Sequence, residues 1–241
     1  MKILSAPAFS IQRARQRAFY DAGWLQTYHS FSFGEYHDPE NTNWGALRVF
    51  NDDTVAPSKG FPRHPHHDME IVTYVLDGEL VHEDSMGNRG IVGPGGVQFM
   101  SAGTGVQHSE FNNSAERPLH FVQMWVLPGR RGEAPSYGQA SFAVEERRNR
   151  WLYVASGQEA VDAPIALTQE ATLGVARVED TMLVHEFASG RYGFLFVADG
   201  VVEANGETLQ RGDAVRLFDV PRLGVKGHGE LVLWDVPGIE D

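Results

Sequence analysis

The sequence predicts an all-β protein, a sandwich or barrel module present twice. Three observations predict it. Short runs rich in Val, Phe, Leu and Tyr alternate with turn signals, as in LRVFNDD, IVTYVLDG, FVQMWVLPG, YGFLFVADG and ELVLWDVPG. Heptads and long helical stripes are missing. Stretches of the first half also recur, in the same order, in the second.

Taken in order, VTYVLDGELVHE (residues 72–83) reads as a strand, an Asp-Gly hairpin turn and a return strand. VGPGGVQFMSAG (92–103) is a Gly turn followed by an apolar strand, and FVQMWVLPG (121–129) is a strand closed by Pro-Gly. Their counterparts are FLFVADGVVEAN (194–205), LQRGDAVRLFDV (209–220) and LVLWDVPG (231–238). The repeat is a module of about 100 residues, an ordinary domain size. Between the copies, PGRRGEAPSYGQASFAVEERRNRW carries Pro, Gly and charge with little periodicity, as a linker does. We place the boundary near residue 140, giving domains 1–140 and 141–241.

The 241 residues can bury a sizeable core, and 42% apolar with 22% charged residues fits a soluble globular chain. The net charge of −12 argues against the broad basic footprint of direct nucleic-acid or anionic-membrane binding. The short basic runs RRGE and EERRNRW read as solvated loops. There is no Cys, which excludes disulfides, Fe–S clusters and thiolate metal sites. KILSAPAFSIQRARQ lacks the apolar core of a signal peptide, and no run approaches the roughly 20 apolar residues of a membrane helix. A cytoplasmic location is expected.

FPRHPHHDMEIVTYVLDG (61–78) packs three histidines into four residues. Residues two apart share a face of a strand, so one beginning near His64 puts His64, His66 and Glu70 on one side. His67 then points away. In SAGTGVQHSEFNN, His108, Glu110 and Asn112 are again two apart, and Gly103 and Gly105 favour a tight turn before them. On strands joined by hairpins the two clusters can converge inside one barrel. Imidazole and carboxylate suit Fe, Mn, Ni, Co, Cu and Zn. Three His and one carboxylate leave open positions on the ion, so a catalytic role is favoured over a structural one. Spacing allows either Glu70 or Glu110 as the carboxylate. His29, His37, His82 and His120 have no pattern of their own, although His29 and His37 are candidates for a cleft mouth. Phe31, Phe33, Phe61, Phe111 and Met100 are available for an apolar mouth, with core the favoured place for each.

The pattern H-x-H-x3-E, here His64, His66 and Glu70, with Gly78 beyond it, followed by G-x-x-H-x3-N, here Gly105, His108 and Asn112, resembles the two cupin motifs. The spacing from Gly60 to His64 is shorter than in the general motif. The chain is more similar to the pirin family, a bicupin group, through GWLQTYHSFSFGEYHDP, LRVFNDD, GFPRHPHHDMEIVTYVLDGELVHEDSMGN and MSAGTGVQHSEFN. These cover most of residues 20–128. The resemblance implies an all-β bicupin of two stacked antiparallel barrels with one metal in the N-terminal barrel. Its ligands would be His64, His66, His108 and Glu110, which leaves Glu70 and Asn112 as outer-sphere residues or alternative ligands. It also implies one divalent ion, Fe(II) first, with Mn, Ni, Co, Cu or Zn as alternatives.

The repeat bears on the second barrel. Counting from its Asp-Gly and Gly turns, His64 and His66 correspond to Glu186 and Ala188, and His108 and Glu110 fall near Val225 and Gly227. His185 and His228 are out of phase. No ligand set survives, and a metal-free C-terminal barrel is expected. Pirin-like proteins include quercetin 2,3-dioxygenases and a nuclear, metal- and redox-dependent regulatory cofactor. The first is the expectation here: an enzyme acting on a flavonol and dioxygen, with Glu110 as the catalytic base. The alternative is an interaction protein with a protein partner.

Overall fold

A computed structural model describes residues 8–239; the opening residues of the segment read above for a signal peptide lie outside them. The first half contributes β1 (Ala8–Gln12), β2 (Ala18–Asp21), β3 (Leu25–His29), β4 (Leu47–Val55), β5 (Gly60–His66), β6 (Glu70–Asp77), β7 (Leu80–Asp84), β8 (Arg89–Val92), β9 (Gly96–Ser101), β10 (Val106–Asn112) and β11 (Leu119–Val126). The linker supplies β12 (Ser136–Ser141) and a one-turn helix, Val144–Arg147. A seven-stranded sheet runs β12-β9-β6-β11-β4-β3-β2, and a four-stranded sheet runs β5-β10-β7-β8. Together they form the first barrel. No helix among the described residues is long and apolar enough to cross a membrane.

The second half contributes β13 (Leu152–Ser156), β14 (Ile165–Ala166), β15 (Thr172–Glu179), β16 (Leu183–Glu186), β17 (Tyr192–Ala204), β18 (Glu207–Gln210), β19 (Ala214–Phe218) and β20 (Arg222–Val236). They form a sheet ordered β1-β19-β17-β20-β15-β13-β14, with β16 on β20 and β18 on β17. The repeat is visible in the pairings. The ladders β11·β4, β11·β6, β10·β7, β10·β5, β6·β9 and β7·β8 recur as β20·β15, β20·β17 (twice), β20·β16, β17·β19 and β17·β18. What are separate strands in the first barrel run continuously as β17 and β20 in the second. Each barrel is edged by a strand from elsewhere in the chain: β12 pairs with β9, and β1 pairs with β19. The first strand therefore crosses the division drawn at residue 140.

The Asp-Gly pairs are corners, not the hairpin turns read from the sequence. β6 and β7 follow one another across Gly78 but lie in different sheets. In the second half Gly200 sits inside β17, beside a bulge at Val197 to Asp199. Gly78 and Gly200 have φ of +82° and +89°, which only glycine adopts freely. The bend is what passes the chain from one wall of the barrel to the other.

The two barrels share a core. β6 reads EIVTYVLD and is buried over its first six residues because one face lines the barrel and the other meets the second half. Phe50 lies 4.9 Å from both Phe194 and Phe196, and the Trp234 indole N–H points at Met124 Sδ at 3.0 Å. Polar links cross the same seam. Tyr74 donates to Glu230, whose Oε1 also accepts Arg147 Nε at 2.8 Å.

Glu70 belongs to this seam, a correction to its expected place beside the metal ligands. Asp68, at φ +44°, turns the chain between β5 and β6, so Glu70 starts a strand of the other sheet. Its buried carboxylate accepts the amides of Thr168 at 2.7 Å and Gln169 at 3.1 Å. Glu70→Ala should therefore lower the unfolding free energy by about 2–6 kcal/mol, leaving two amides unpaired at ~1–3 each. A urea titration measures this, and metal stoichiometry should stay unchanged. Metal loss at unchanged stability would return Glu70 to the ligand set.

Candidate metal centre

The site is assembled on β10. Its burial alternates, turning Val106, His108, Glu110 and Asn112 inward. The turn before it contains Gly103 at φ +45° and Gly105 at φ +135°, as the sequence predicts. β5 pairs antiparallel with β10, His64 opposite His108 and His66 opposite Val106, with the register shifting by a bulge between His108 and Glu110. This approach requires Gly60: a Cβ there would stand 2.1 Å from the Glu110 carbonyl oxygen and 2.5 Å from Phe111 Cα. On the other side of β10, β7 sets His82 opposite Glu110 and Asp84 opposite His108.

Three imidazoles converge. The rings of His64, His66 and His108 lie 4.5–4.9 Å apart, and the Nε2 atoms of His64 and His108 are 3.1 Å apart. His64 Nδ1 donates to the Pro62 carbonyl at 2.8 Å, which leaves its Nε2 lone pair facing inward. Burial pushes His108 down to about 2, assisted by His64, His66 and His82. It lowers His66 to about 4, with His64 and His67 adding to the effect. Both rings are thus neutral at physiological pH, the form that binds metal. Convergent lone pairs on neutral rings fit a cation between them.

Glu110 is buried, and its two oxygens accept the side-chain amides of Gln98 and, at 2.7 Å, Gln123. Burial raises it to about 7 against the lowering by those hydrogen bonds. Its carboxylate groups with His108 and His82, not with His64 and His66. The donors form two overlapping triads, His64–His66–His108 and His82–His108–Glu110, each with ligand atoms within 4.8 Å of one another. Trp125 joins them: its ring stands edge-on to His66 at 4.8 Å, and its N–H reaches Gln123 Oε1 at 3.3 Å.

Asn112 is the second correction. Its Nδ2 donates to the carbonyls of Val55, Ala56 and Arg117, and its Oδ1 accepts the Ser114 amide, so both ends of the side chain are taken up in tying loops together. His67 is 83% exposed and turned away, as parity indicates. His120 bonds Asp52 at 2.7 Å, outside the cleft. Of the two mouth candidates, His29 lines the cleft and His37 does not. Phe33 and Phe61 are cleft walls. Phe31 and Met100 are core, and Phe111 is on the surface.

His82, Gln98, Gln123, Asp53 and Trp125 also stand at the site, outside the motifs. His82 and Asp84 are two apart just past the Asp-Gly corner, the same parity signal as His64 and His66. Gln98 and Gln123 are lone polar residues inside the apolar strands GVQFMS and LHFVQMWV, where a buried amide calls for a partner. The cleft beside His64 and His66 has a volume of about 310 Å³ and includes Asp53, which burial pushes up to about 7. An adjoining recess of about 510 Å³ shares Leu25, Thr27, His29 and Phe33 with it.

In the second barrel the corresponding positions are apolar. Carrying the ladders across, Leu223 and Val225 stand where His108 and Glu110 are, Phe187 replaces His66 and Ala204 replaces His82. All four are core residues. His185 matches His64 in register, contrary to the out-of-phase count. It is alone, held by Tyr153 at 3.0 Å and Asp235 at 3.1 Å.

The family model for pirin matches residues 9–126, and that for a quercetinase C-terminal cupin domain matches residues 154–233. The chain is 43% identical over 218 residues to a pirin-like protein of Caulobacter vibrioides, covering 89% of this chain and 94% of that one. It is 37% identical over 232 residues to quercetin 2,3-dioxygenase of Escherichia coli K12, covering 95% and 99%. The crystal structure of the bacterial pirin YhhW from E. coli in complex with nickel(II) superposes with a TM-score of 0.89 at 36% identity, over 96% of this chain and 100% of that one.

The shifts set the protons exchanged on metal binding. His66 and His108 are already neutral near pH 6, whereas Glu110, titrating at about 7, is mostly protonated there and must ionise to ligate. Wild-type protein should release about one more proton per metal than Glu110→Gln near pH 6, the difference vanishing above about pH 8. Calorimetry in buffers of differing ionisation enthalpy measures this.

Proposed function

The chain belongs to the pirin family, and on that premise we propose that it is a metal-dependent dioxygenase. It opens the heterocycle of a flavonol such as quercetin, consuming dioxygen and releasing carbon monoxide. The observation that carries this reading is a converging three-histidine donor set beside a mostly apolar cleft. Phe33, Phe61 and Trp125 supply flat walls for a planar ring system, and the adjoining recess gives room for its far end. The name of the E. coli relative supports the same substrate class.

His64, His66 and His108 would hold the ion, with Glu110 moving in from its amide cradle as the fourth ligand. Fe(II) is the ion we favour, with Mn, Ni, Co, Cu and Zn compatible with the same donors. When bound, the ion supplies Lewis acidity toward the 3-oxygen of the flavonol. Glu110 accepts the 3-hydroxyl proton, its raised pKa matching it to the task near neutrality. Gln98 and Gln123 aim that carboxylate, and Trp125 fixes which way the Gln123 amide points. Asp53 holds a second exchangeable proton on the same cleft. The division of labour follows: residues 1–140 carry the metal and the chemistry, and 141–241 form a metal-free support.

Oxygen uptake and carbon monoxide release with quercetin test the reading, on protein loaded with Fe(II), Mn, Ni, Co or Cu. Turnover is expected with at least one ion, and His66→Ala should cut kcat/KM by roughly 100-fold or more, beyond the range seen for outer-sphere changes. Absence of turnover with every ion would sink the flavonol assignment.

A further inference from the structure

We propose that the first barrel offers an ion a second, inner position built from His82, His108 and Glu110. This rests on the donor atoms alone and does not depend on the flavonol reading. The three side chains are 0%, 1% and 1% exposed, and their ligand atoms lie within 4.8 Å of one another. His64 and His66, by contrast, are partly exposed and line the cleft.

The strongest sign is the way His82 is held. Its Nε2 faces Asp84 Oδ2 at 3.3 Å, and its Nδ1 is buried with no hydrogen-bond partner among the described residues. Asp84 is fixed in turn by the amides of Met86 and Asn88 and by the Asn88 side chain. A carboxylate that takes one ring N–H and leaves the other nitrogen bare is how metal-bound histidines are oriented. An unpaired buried nitrogen is otherwise a net cost to the fold. Two further buried atoms at this end of the barrel also lack partners, His108 Nδ1 and Gln98 Oε1. The two Glu110 oxygens, with about four lone pairs between them, keep at least one beyond those that Gln98, Gln123 and Thr73 use. The Tyr137 ring stacks on His82 at 4.4 Å and 16°, covering it.

Two imidazoles and a carboxylate are the donor set of zinc-like borderline ions, and too few oxygens for Ca²⁺ or Mg²⁺. The inner and outer triads share His108, and a Glu110 that moved outward would leave the inner one, so a single ion is expected at one or the other. Of the three inner donors only Glu110 lines the cleft; His82 and His108 do not.

Cobalt(II) titration of the full-length apo-protein tests this, with bound metal read by equilibrium dialysis and by visible d–d absorption. The variant H64A/H66A should still bind one Co(II) per chain. Adding His82→Gln should abolish that binding, and adding Asp84→Asn should weaken it about 10–100-fold. His82→Gln alone should bind one Co(II) at the outer histidines. A folded H64A/H66A protein that binds no Co(II), or binds it equally with and without His82, overturns the proposal. If H64A/H66A does not fold, anomalous scattering from Co(II)-loaded wild-type crystals decides. Density beside His82 Nδ1 supports the inner position, and density confined to His64 and His66 overturns it. No readout here is flavonol turnover, so failure of either reading leaves the other standing.

Discussion

The antiparallel pairing of His64 with His108, on β5 and β10, is the contact from which the site follows. It needs a strand that ends at His66, a turn at Asp68 that sends Glu70 elsewhere, and no side chain at Gly60. Given that pairing, β10 collects donors from both neighbours, His64 and His66 from β5 and His82 from β7. A one-residue slip of β5 would turn its histidines to the other face and empty the site.

Burial then sets the chemistry. Imidazoles removed from water stay neutral, and a carboxyl removed from water holds its proton, so the interior is primed to exchange protons for a cation. Amide groups of Gln98 and Gln123 favour the ionised carboxylate without adding charge. The second barrel shows the other solution to the same ladder. Leu223, Val225, Phe187 and Ala204 fill four of its corresponding positions with apolar packing, and His185 at the fifth is tied to Tyr153 and Asp235.

The packing between barrels explains how the first one tolerates so polar an interior. Phe50, Phe194, Phe196 and Trp234 make a common core, while Glu70 and the Tyr74–Glu230–Arg147 group satisfy buried polar atoms across the seam. The added edge strands, β1 on the second barrel and the linker strand β12 on the first, extend this joint and cover open sheet edges. A linker read from composition as a loop thus becomes a strand, because β9 offers it unpaired backbone groups.

Local pattern determined the strands, the duplicated order and the inward parity of His64, His66, His108 and Glu110, because side-chain alternation is a property of each strand by itself. It also determined the absence of thiolate chemistry and the loss of the ligand set from the second half. Only the tertiary structure decided which parity-matched residues meet. Glu70 and Asn112 share the pattern but bond to the seam and to neighbouring loops, whereas His82, whose only signal is its parity with Asp84, arrives beside His108 and Glu110. Strand pairing across dozens of residues and the switch of sheets at Asp68 and Gly78 make that selection. Both are long-range choices, settled by which faces pack together and not by any single stretch of chain.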